Sequence, residues 1–323
     1  MLDRQATVGN MSDKFITIET SELVVGEPLP GPLFVFIDGR FIKYKNVGDI
    51  IDRLAYDRFS LKQVRHLFIS DGDAEAFKKW VSGADTPPGA DPGKLPPNPT
   101  QFQVLRNEAR RSAMDLFSGN VTNEAVVKTL AVSKKLVTEV MKQPYVSKNL
   151  AQLQYFARGT VDHSVNVSVL SVYLAHNMGY THQLILNHIG TGALLHDIGK
   201  TKVPLTDKDS EEEAATKMLQ HPELGVKMLE AMPGVPSEVK MIVGQHHELF
   251  DGTGFPKKLR GAAIYDLARI VGLANAFDRM VAEEEGTLGE RQAKAVKKLD
   301  QTLHRKFEPQ KLEKAVKILK MGV

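Results

Sequence analysis

The chain has 323 residues, of which 42% are apolar and 25% charged, and its formal net charge of +3 gives no argument for a nucleic-acid polymer as partner. Cysteine is absent, which excludes disulfides and thiolate metal ligands, so a metal would have to be held by nitrogen and oxygen atoms. No apolar run approaches the ~18 residues of a membrane span and no secretory signal opens the sequence, so we expect a cytoplasmic protein without a membrane span.

Residues 1–83 predict a small α/β domain. Two short runs rich in β-branched and aromatic residues, Leu33–Ile37 and Phe41–Tyr44, flank Asp38-Gly39, which is a strong hairpin signal. A further strand and two helical segments are predicted at Val64–Ile69, Asp49–Leu54 and Ala74–Val81. No catalytic pattern occurs in this part, so we interpret it as a regulatory or interaction domain.

Residues 84–100 predict a linker, because six prolines in this stretch are incompatible with a packed helix or strand. Residues 101–323 change to helical spacing and predict an all-helical domain, so the fold class of the chain is mainly α. The predicted helices are Val121–Met141, Val161–Met178, Thr181–Ile198, Pro222–Met232, Ser237–His247, Ala262–Ala282 and Gln292–Leu319, the last interrupted near Pro309. Thr181 is the predicted cap of its helix, and Ser210 with Glu213 has the spacing of a capping box.

Five histidines and one aspartate stand where they can form a shared site. These residues are His163, His196, Asp197, His221, His246 and His247. Two adjacent side chains point ~100° apart inside a helix, but at a helix end, where both His196-Asp197 and His246-His247 are predicted, neighbours can converge. We interpret three other histidines, His176, His182 and His188, as structural.

Imidazole and carboxylate groups suit iron, manganese or zinc, and a carboxylate between two cations can bridge them. Two such ions about 3.5–4 Å apart can generate hydroxide and hold a phosphodiester for in-line attack. The sequence therefore predicts a metal site suited to phosphate esters.

The motifs that carry these residues follow one another in a defined order. They are His163-Ser164, His196-Asp197-Ile198-Gly199-Lys200, His221-Pro222-Glu223-Leu224-Gly225, His246-His247-Glu248 and Asp251-Gly252-Thr253-Gly254-Phe255-Pro256. In this series the chain resembles the HD-GYP family of cyclic di-GMP phosphodiesterases, a branch of the HD phosphohydrolases. The resemblance extends from about residue 150 to the end and includes Phe307-Glu308-Pro309.

The resemblance implies a role for each matching residue. His163, His196, Asp197, His221, His246 and His247 match metal ligands, with Asp197 as the bridge between two ions. Lys200 matches a lysine that contacts the scissile phosphate, where a cation stabilises developing charge. Asp251, Gly252, Gly254 and Pro256 match the signature loop beside the substrate. Lys257, Lys258 and Arg260 either bind the phosphates or guanine edges of a dinucleotide or form a solvated face.

Several positions depart from the family pattern. Asn275 stands where the family usually has an aspartate ligand, and its amide oxygen should bind a metal more weakly. Asp278, one turn along, matches a second aspartate with a supporting or proton-handling role. Phe255 replaces the signature tyrosine and lacks its hydroxyl. Gly159 stands where members with a third metal have a glutamate, so we expect two metals. The segment Thr201–Glu213 is short, which predicts a more open site.

The resemblance implies a phosphodiesterase that hydrolyses cyclic di-GMP to pGpG or GMP, with iron or manganese as the expected metals and zinc as an alternative. A weakly active or inactive member that binds nucleotides or proteins is a second interpretation, favoured by Asn275 and Phe255. Hydrolysis of another phosphoester is a third, against which the loop at residues 251–256 argues. GGDEF-type or other signalling proteins are candidate partners, and the apolar helix Val121–Met141 is suited to a homodimer.

Overall fold

The computed structural model describes residues 15–20, 23, 29–37, 39–49, 51, 55–56, 58–59, 62, 64–82, 100–119, 121–142, 159–206, 209–285 and 288–321. These residues form two compact units, one within residues 1–96 and the other within residues 97–323. The predicted linker, apart from Thr100, lies outside the described residues. Most of the helix predicted at Asp49–Leu54 does so too, and the two residues described there, Asp49 and Ile51, are not helical.

The first unit contains a four-stranded antiparallel sheet. Its strands are β1 (Phe15–Glu19), β2 (Leu33–Ile37), β3 (Arg40–Lys45) and β4 (His66–Ser70), arranged in the order β1-β4-β2-β3, and helix α1 (Ala74–Ser82) follows β4 after a short 3-10 turn. The predicted hairpin is confirmed, since Ile37 pairs with Arg40 across the turn at Gly39. Leu33 and Leu67 from the sheet and Phe77 from α1 belong to one cluster of buried apolar residues, so this unit has a core of its own.

The second unit is helical, as predicted. Its described part contains α2 (Gln101–Phe117), α3 (Asn123–Lys142), α4 (Thr160–Asn177), α5 (Gln183–Leu195), α6 (Glu211–Met218), α7 (His221–Glu230), α8 (Ser237–Gln245), α9 (Asp266–Glu283), α10 (Leu288–Thr302) and α11 (Pro309–Lys320). Two short 3-10 helices are also present: Ile198–Lys202 follows α5, and Gly261–Ala263 precedes α9. The predicted mainly α fold is confirmed, and none of the described helices is long and apolar enough to cross a membrane.

Helix α4 is the centre of this unit. Nearly every residue from Thr160 to Ala175 is buried, and a helix that is enclosed on all sides belongs to the interior of a bundle. It packs against α2, α3, α5 and α9, while α7 and α8 pack on one another and α8 on α5. This packing places the ends of α5 and α8 beside the middle of α9.

The capping predictions had mixed outcomes. The box at Ser210 is confirmed, because the Ser210 hydroxyl accepts a hydrogen bond from Glu213 N and the Glu213 carboxylate accepts one from Ser210 N. The cap at Thr181 was wrong, since α5 begins after His182 without a side-chain cap. The bounds at Ile198 and Ala262 were also wrong, because 3-10 helices occupy both positions.

Helix α3, for which the sequence predicted a dimer contact, packs its apolar side within the chain. Val126, Leu136, Val137 and Val140 are buried against neighbouring helices, and α3 packs against α2, α4 and α5. Val127 is the large apolar residue on this helix that is exposed. A homodimer stays a prediction.

Candidate metal centre

The helical unit gathers all six of the predicted metal ligands in one buried cluster. One atom from each of Asp197, His221, His246 and His247 lies within 4.8 Å of the others, and the same holds for His163, His196 and Asp197. Asp197 belongs to both groups, so its carboxylate stands between two sets of imidazoles. This arrangement is able to hold a metal ion.

The Asp197 carboxylate directs one oxygen to each set. Oδ2 lies 3.4 Å from His196 Nε2 and 4.0 Å from His163 Nε2, whereas Oδ1 lies 3.2 Å from His221 Nε2 and 3.9 Å from His246 Nε2. We call the two sets the Oδ2 subsite (His163, His196, Asp197 and Asn275) and the Oδ1 subsite (Asp197, His221, His246 and His247). Asn275 belongs to the first because its Oδ1 lies 3.0 Å from His163 Nε2.

Three of the imidazoles are held in one orientation by the backbone. The Nδ1 atoms of His196, His221 and His246 lie 2.6, 2.7 and 2.8 Å from the carbonyl oxygens of the residues three positions earlier. A ring that donates from Nδ1 to a carbonyl keeps its proton there and leaves the Nε2 lone pair for a metal. His196 and His246 directly follow α5 and α8, and His221 is the first residue of α7. At these positions the carbonyl three residues earlier is within reach of the ring.

His163, in contrast, is oriented by a carboxylate. Its Nδ1 lies 2.7 Å from Asp278 Oδ2, and the other Asp278 oxygen accepts a hydrogen bond from Asn166 Nδ2 at 3.1 Å. Asn166 Oδ1 in turn accepts a hydrogen bond from Arg106 at 2.7 Å. This geometry supports Asp278 as a group that orients the His163 ring.

The electrostatics of the cluster keep the ligands in the forms that bind metals. Burial lowers the pKa of His221, and burial together with neighbouring histidine charges holds the pKa of His246 and His247 well below the usual value. Burial opposes the ionisation of Asp197, but the charges of His196 and Lys200 outweigh it and hold the Asp197 pKa well below its ordinary value. At neutral pH the Asp197 carboxylate thus lies beside three neutral imidazoles, those of His221, His246 and His247.

Two buried atoms provide an independent test of whether a cation fits. His196 Nε2 and Asp197 Oδ1 are enclosed and lack a hydrogen-bond partner among the described residues. Leaving a buried acceptor unsatisfied costs about 1–3 kcal/mol, so such groups point to an absent partner. Both are electron-pair donors directed into the cluster, and a divalent ion fits them.

Close backbone packing brings the second histidine motif to the first. A Cβ atom on Gly199 would lie 1.9 Å from the carbonyl oxygen of His221 and 2.4 Å from Gly225 N. Only a residue without a side chain allows this approach. The glycines of the two motifs therefore place His221 beside Asp197.

Lys200 lies inside the cluster. It is 5% exposed, and its Nζ donates to Asp197 Oδ2 at 2.7 Å. A buried ammonium beside the carboxylate adds positive charge to the cluster.

The loop that follows α8 is held in place by the buried side chain of Glu248. This buried carboxylate accepts hydrogen bonds from the backbone N–H groups of Lys257 and Leu259 at 2.7 and 2.8 Å. A Cβ atom on Gly254 would lie 2.3 Å from Leu249 N, so this glycine is also required by a close approach. The Phe255 ring stacks on His247 with centroids 4.4 Å apart, which places it at the rim of the Oδ1 subsite.

The other residues predicted to bind substrate lie at the surface of this loop. Asp251 accepts hydrogen bonds from the backbone and hydroxyl of Thr253, which lower its pKa and turn its carboxylate into the loop. Gly252 and Pro256 are half-buried, and the side chains of Lys257, Lys258 and Arg260 are exposed. The geometry leaves the three cations accessible to an anionic ligand without bringing them into the cluster.

The sequence analysis missed four residues that contact the centre or its supports. Glu248 was part of a quoted motif but received no role, and Asn166 and Arg106 lie on α4 and α2, where no local pattern links them to Asp278. Arg279 follows Asn275 by one helical turn, and its Nε donates to Asn275 Oδ1 at 3.1 Å. The spacing of four residues on a predicted helix was the signal that could have identified Arg279.

Comparisons with known proteins agree with this geometry. The HD domain family model matches residues 139–310, which include the whole cluster. A cyclic di-GMP phosphodiesterase from Pseudomonas aeruginosa is 28% identical over 227 residues, which are 66% of this chain and 53% of that protein. A 3'3'-cGAMP-specific phosphodiesterase from Vibrio cholerae is 30% identical over 167 residues, covering 50% of this chain and 36% of that protein. The chain thus spans about half or less of the length of these relatives.

A solved structure resembles the chain over almost its whole length. It is an HDG"Y"P protein from Bdellovibrio bacteriovorus, with a TM-score of 0.56 and 26% identity, and the match covers 95% of this chain and 100% of that one. The family match, the cluster built on His196 and Asp197, and this likeness agree. The chain belongs to the HD domain family, and within it to the HD-GYP group.

Proposed function

We propose that this chain is a metal-dependent phosphodiesterase that hydrolyses a cyclic dinucleotide, with cyclic di-GMP as the first candidate and pGpG or GMP as the product. The observation that carries the proposal is the buried Asp197 carboxylate, which directs one oxygen to each of two histidine groups. The named activities of the Pseudomonas and Vibrio relatives support the cyclic dinucleotide class.

Two divalent ions would occupy the centre, one in each subsite, with Asp197 as the shared ligand. The donor set consists of imidazole nitrogens and carboxylate or amide oxygens, which favours iron or manganese and also accommodates zinc. Ions held in this way would supply Lewis acidity and would lower the pKa of bound water, so that hydroxide is available at neutral pH.

Lys200 would stabilise the negative charge that develops on the phosphate, because its ammonium group is buried beside Asp197 and is shielded from bulk water. Asp278 would hold the His163 ring with its Nε2 lone pair toward the cluster. The exposed cations Lys257, Lys258 and Arg260 would attract the anionic substrate, and Phe255 would offer an apolar face at the rim.

A second candidate function is a weakly active or inactive member that binds a nucleotide or a signalling protein. The observation that favours it is the neutral Asn275 in the Oδ2 subsite, held by the cation of Arg279. Replacement of Asn275 by aspartate and of Phe255 by tyrosine separates the two candidates, since a large gain in turnover marks the natural chain as attenuated. GGDEF-type partners, a homodimer and a cytoplasmic location belong to the same proposal and rest on the sequence alone.

The test is the turnover of cyclic di-GMP, with 3'3'-cGAMP in parallel, by protein loaded anaerobically with iron or manganese and analysed for linear products. Asp197→Ala removes the shared ligand, whereas Asp300→Ala removes an exposed carboxylate on α10 that pairs with Lys320. We expect product from the natural chain and from the Asp300 variant, and none from the Asp197 variant. The absence of product from fully metallated natural chain would contradict the enzymatic proposal and favour the binding role.

A further inference from the structure

Arg279 extends the metal cluster toward solvent. It lies on α9 one turn after Asn275, its Nε donates to Asn275 Oδ1 at 3.1 Å, and its Nη2 lies 4.0 Å from Asp197 Oδ2. The side chain is 41% exposed, so the guanidinium covers the Oδ2 subsite from the outside.

The two oxygens that contact Arg279 are the two oxygens that an ion in the Oδ2 subsite would need. Lys200 Nζ also lies 2.7 Å from the same Asp197 oxygen. Asn275 brings no charge to offset these cations. The Oδ2 subsite therefore shares the Asp197 carboxylate with the other subsite and has two positive groups beside it. A divalent ion placed here is repelled by both.

Arg279 also has a smaller effect in the opposite direction. Its Nε–H holds the Asn275 amide with the oxygen toward His163, because a reversed amide would set two donors against one another. One hydrogen bond that orients a neutral amide contributes less than the repulsion between a guanidinium and a divalent ion in a buried site. The net effect of Arg279 is therefore to weaken metal binding in the Oδ2 subsite.

The Oδ1 subsite has more ligands of its own, although the charges of Lys200 and Arg279 also act on His221 and His247. It offers three histidines, and the Asp197 oxygen that faces it has no hydrogen-bond partner among the described residues. An ion here gains the Asp197 Oδ1 atom, whereas the contacts of Lys200 and Arg279 with this carboxylate are made at Oδ2.

We propose that the two subsites load with unequal affinity, the Oδ1 subsite first and tightly and the Oδ2 subsite weakly, and that Arg279 sets the affinity of the weaker one. This inference rests on the proposed metal centre but not on the proposed reaction, because it concerns binding in the absence of substrate. It makes metal supply a determinant of how much of the protein carries both ions.

The test is a Mn(II) titration of metal-free protein by equilibrium dialysis with metal analysis, followed by electron paramagnetic resonance. Arg279→Met removes the charge and the hydrogen bond, whereas Arg279→Gln places an amide donor at the position of Nε without the charge. Arg305→Met, which removes an exposed arginine from the turn before α11, is the matched control. Thermal unfolding of each variant establishes that it is folded.

For the natural chain we expect one equivalent to bind with the six-line signal of an isolated Mn(II), and a second to bind at much higher free Mn(II) with an exchange-coupled signal. Both Arg279 variants should tighten the second equivalent by about tenfold or more, since a unit charge close to the ligands is removed, and should tighten the first by less, because Arg279 lies at the Asp197 oxygen that faces the Oδ2 subsite. The Arg305 variant should match the natural chain.

Two equivalents that bind with equal affinity to the natural chain would overturn the inference. So would Arg279 variants whose second ion binds as before or more weakly, the latter marking Arg279 as an orienting group for Asn275. No turnover by protein shown to carry both ions would instead contradict the proposed function while leaving this inference intact.

Discussion

Replacement of Asp278 by asparagine tests how His163 is oriented. In the natural chain Asp278 accepts from His163 Nδ1 at 2.7 Å and from Asn166 Nδ2 at 3.1 Å. Asn166 cannot turn its amide to adapt, because its oxygen accepts a hydrogen bond from Arg106 at 2.7 Å. An asparagine at position 278 therefore has to place its oxygen toward Asn166 and its NH2 group toward His163.

A donor that faces His163 Nδ1 moves the imidazole proton to Nε2, and this removes the lone pair that a metal requires. The alternative orientation restores the tautomer but sets two NH2 groups against one another in a buried site. Loss of a supporting partner of this kind typically weakens metal binding 10–100-fold, or about 1.4–2.7 kcal/mol, and the lack of an adaptable neighbour favours the upper end.

The assay is calorimetric Mn(II) titration of Asp278→Asn beside Asp300→Asn, which removes an exposed carboxylate that is paired with Lys320. Nitrogen-15 spectra of the histidine rings report the tautomer of His163 directly. We expect a lower affinity for the ion in the Oδ2 subsite and an unchanged affinity for the ion in the Oδ1 subsite. Unchanged affinity for both ions, with His163 still protonated on Nδ1 in a folded variant, would refute the role given to Asp278.

Three further outcomes follow from the same geometry. Metal-free protein should lose stability as the pH falls below about 6.5, because the lowered pKa of His221, His246 and His247 makes the unfolded state bind more protons than the folded state. The loss is at most about 1.4 kcal/mol per pH unit for each histidine; thermal unfolding between pH 7.5 and 5.5 measures it, and a pH-independent midpoint would contradict it. Gly254→Ala should lower the free energy of unfolding in urea by at least about 2 kcal/mol, since its Cβ would lie 2.3 Å from a backbone nitrogen. The control Gly289→Ala on α10 meets open space and should be neutral or slightly stabilising; equal effects of the two variants would contradict the close packing at Gly254. Lys200→Ala should retain bound metal but lower kcat about 100-fold or more with a smaller change in KM, and a variant that lost only substrate affinity would contradict its role in charge stabilisation.

Much of the fold was predictable because it depends on local patterns. The hairpin at Gly39, the capping box at Ser210 and the change from α/β to helical spacing each depend on residues close in the sequence, and all three are present. Helix bounds were less accurate where a short 3-10 helix replaced a turn of α-helix, as at Ile198 and before Asp266. Periodicity alone does not distinguish the two geometries over a single turn.

The centre of the site was predictable for a different reason. The five histidines and Asp197 lie in short motifs that follow one another in a fixed order, and the structure brings all six of these side chains together. Their supports were not predictable, because the link from Arg106 through Asn166 to Asp278 joins three helices that are distant in sequence. Nothing in the sequence near Arg106 shows which polar group it will meet.

The most direct test of the account is a crystal structure of the natural chain grown with saturating Mn(II), with anomalous difference density measured at the manganese edge. We expect two peaks about 3.5–4 Å apart on either side of the Asp197 carboxylate, one among His221, His246 and His247 and the other near His163, His196 and Asn275. Peaks elsewhere, or no anomalous density beside Asp197, would contradict the proposed metal centre.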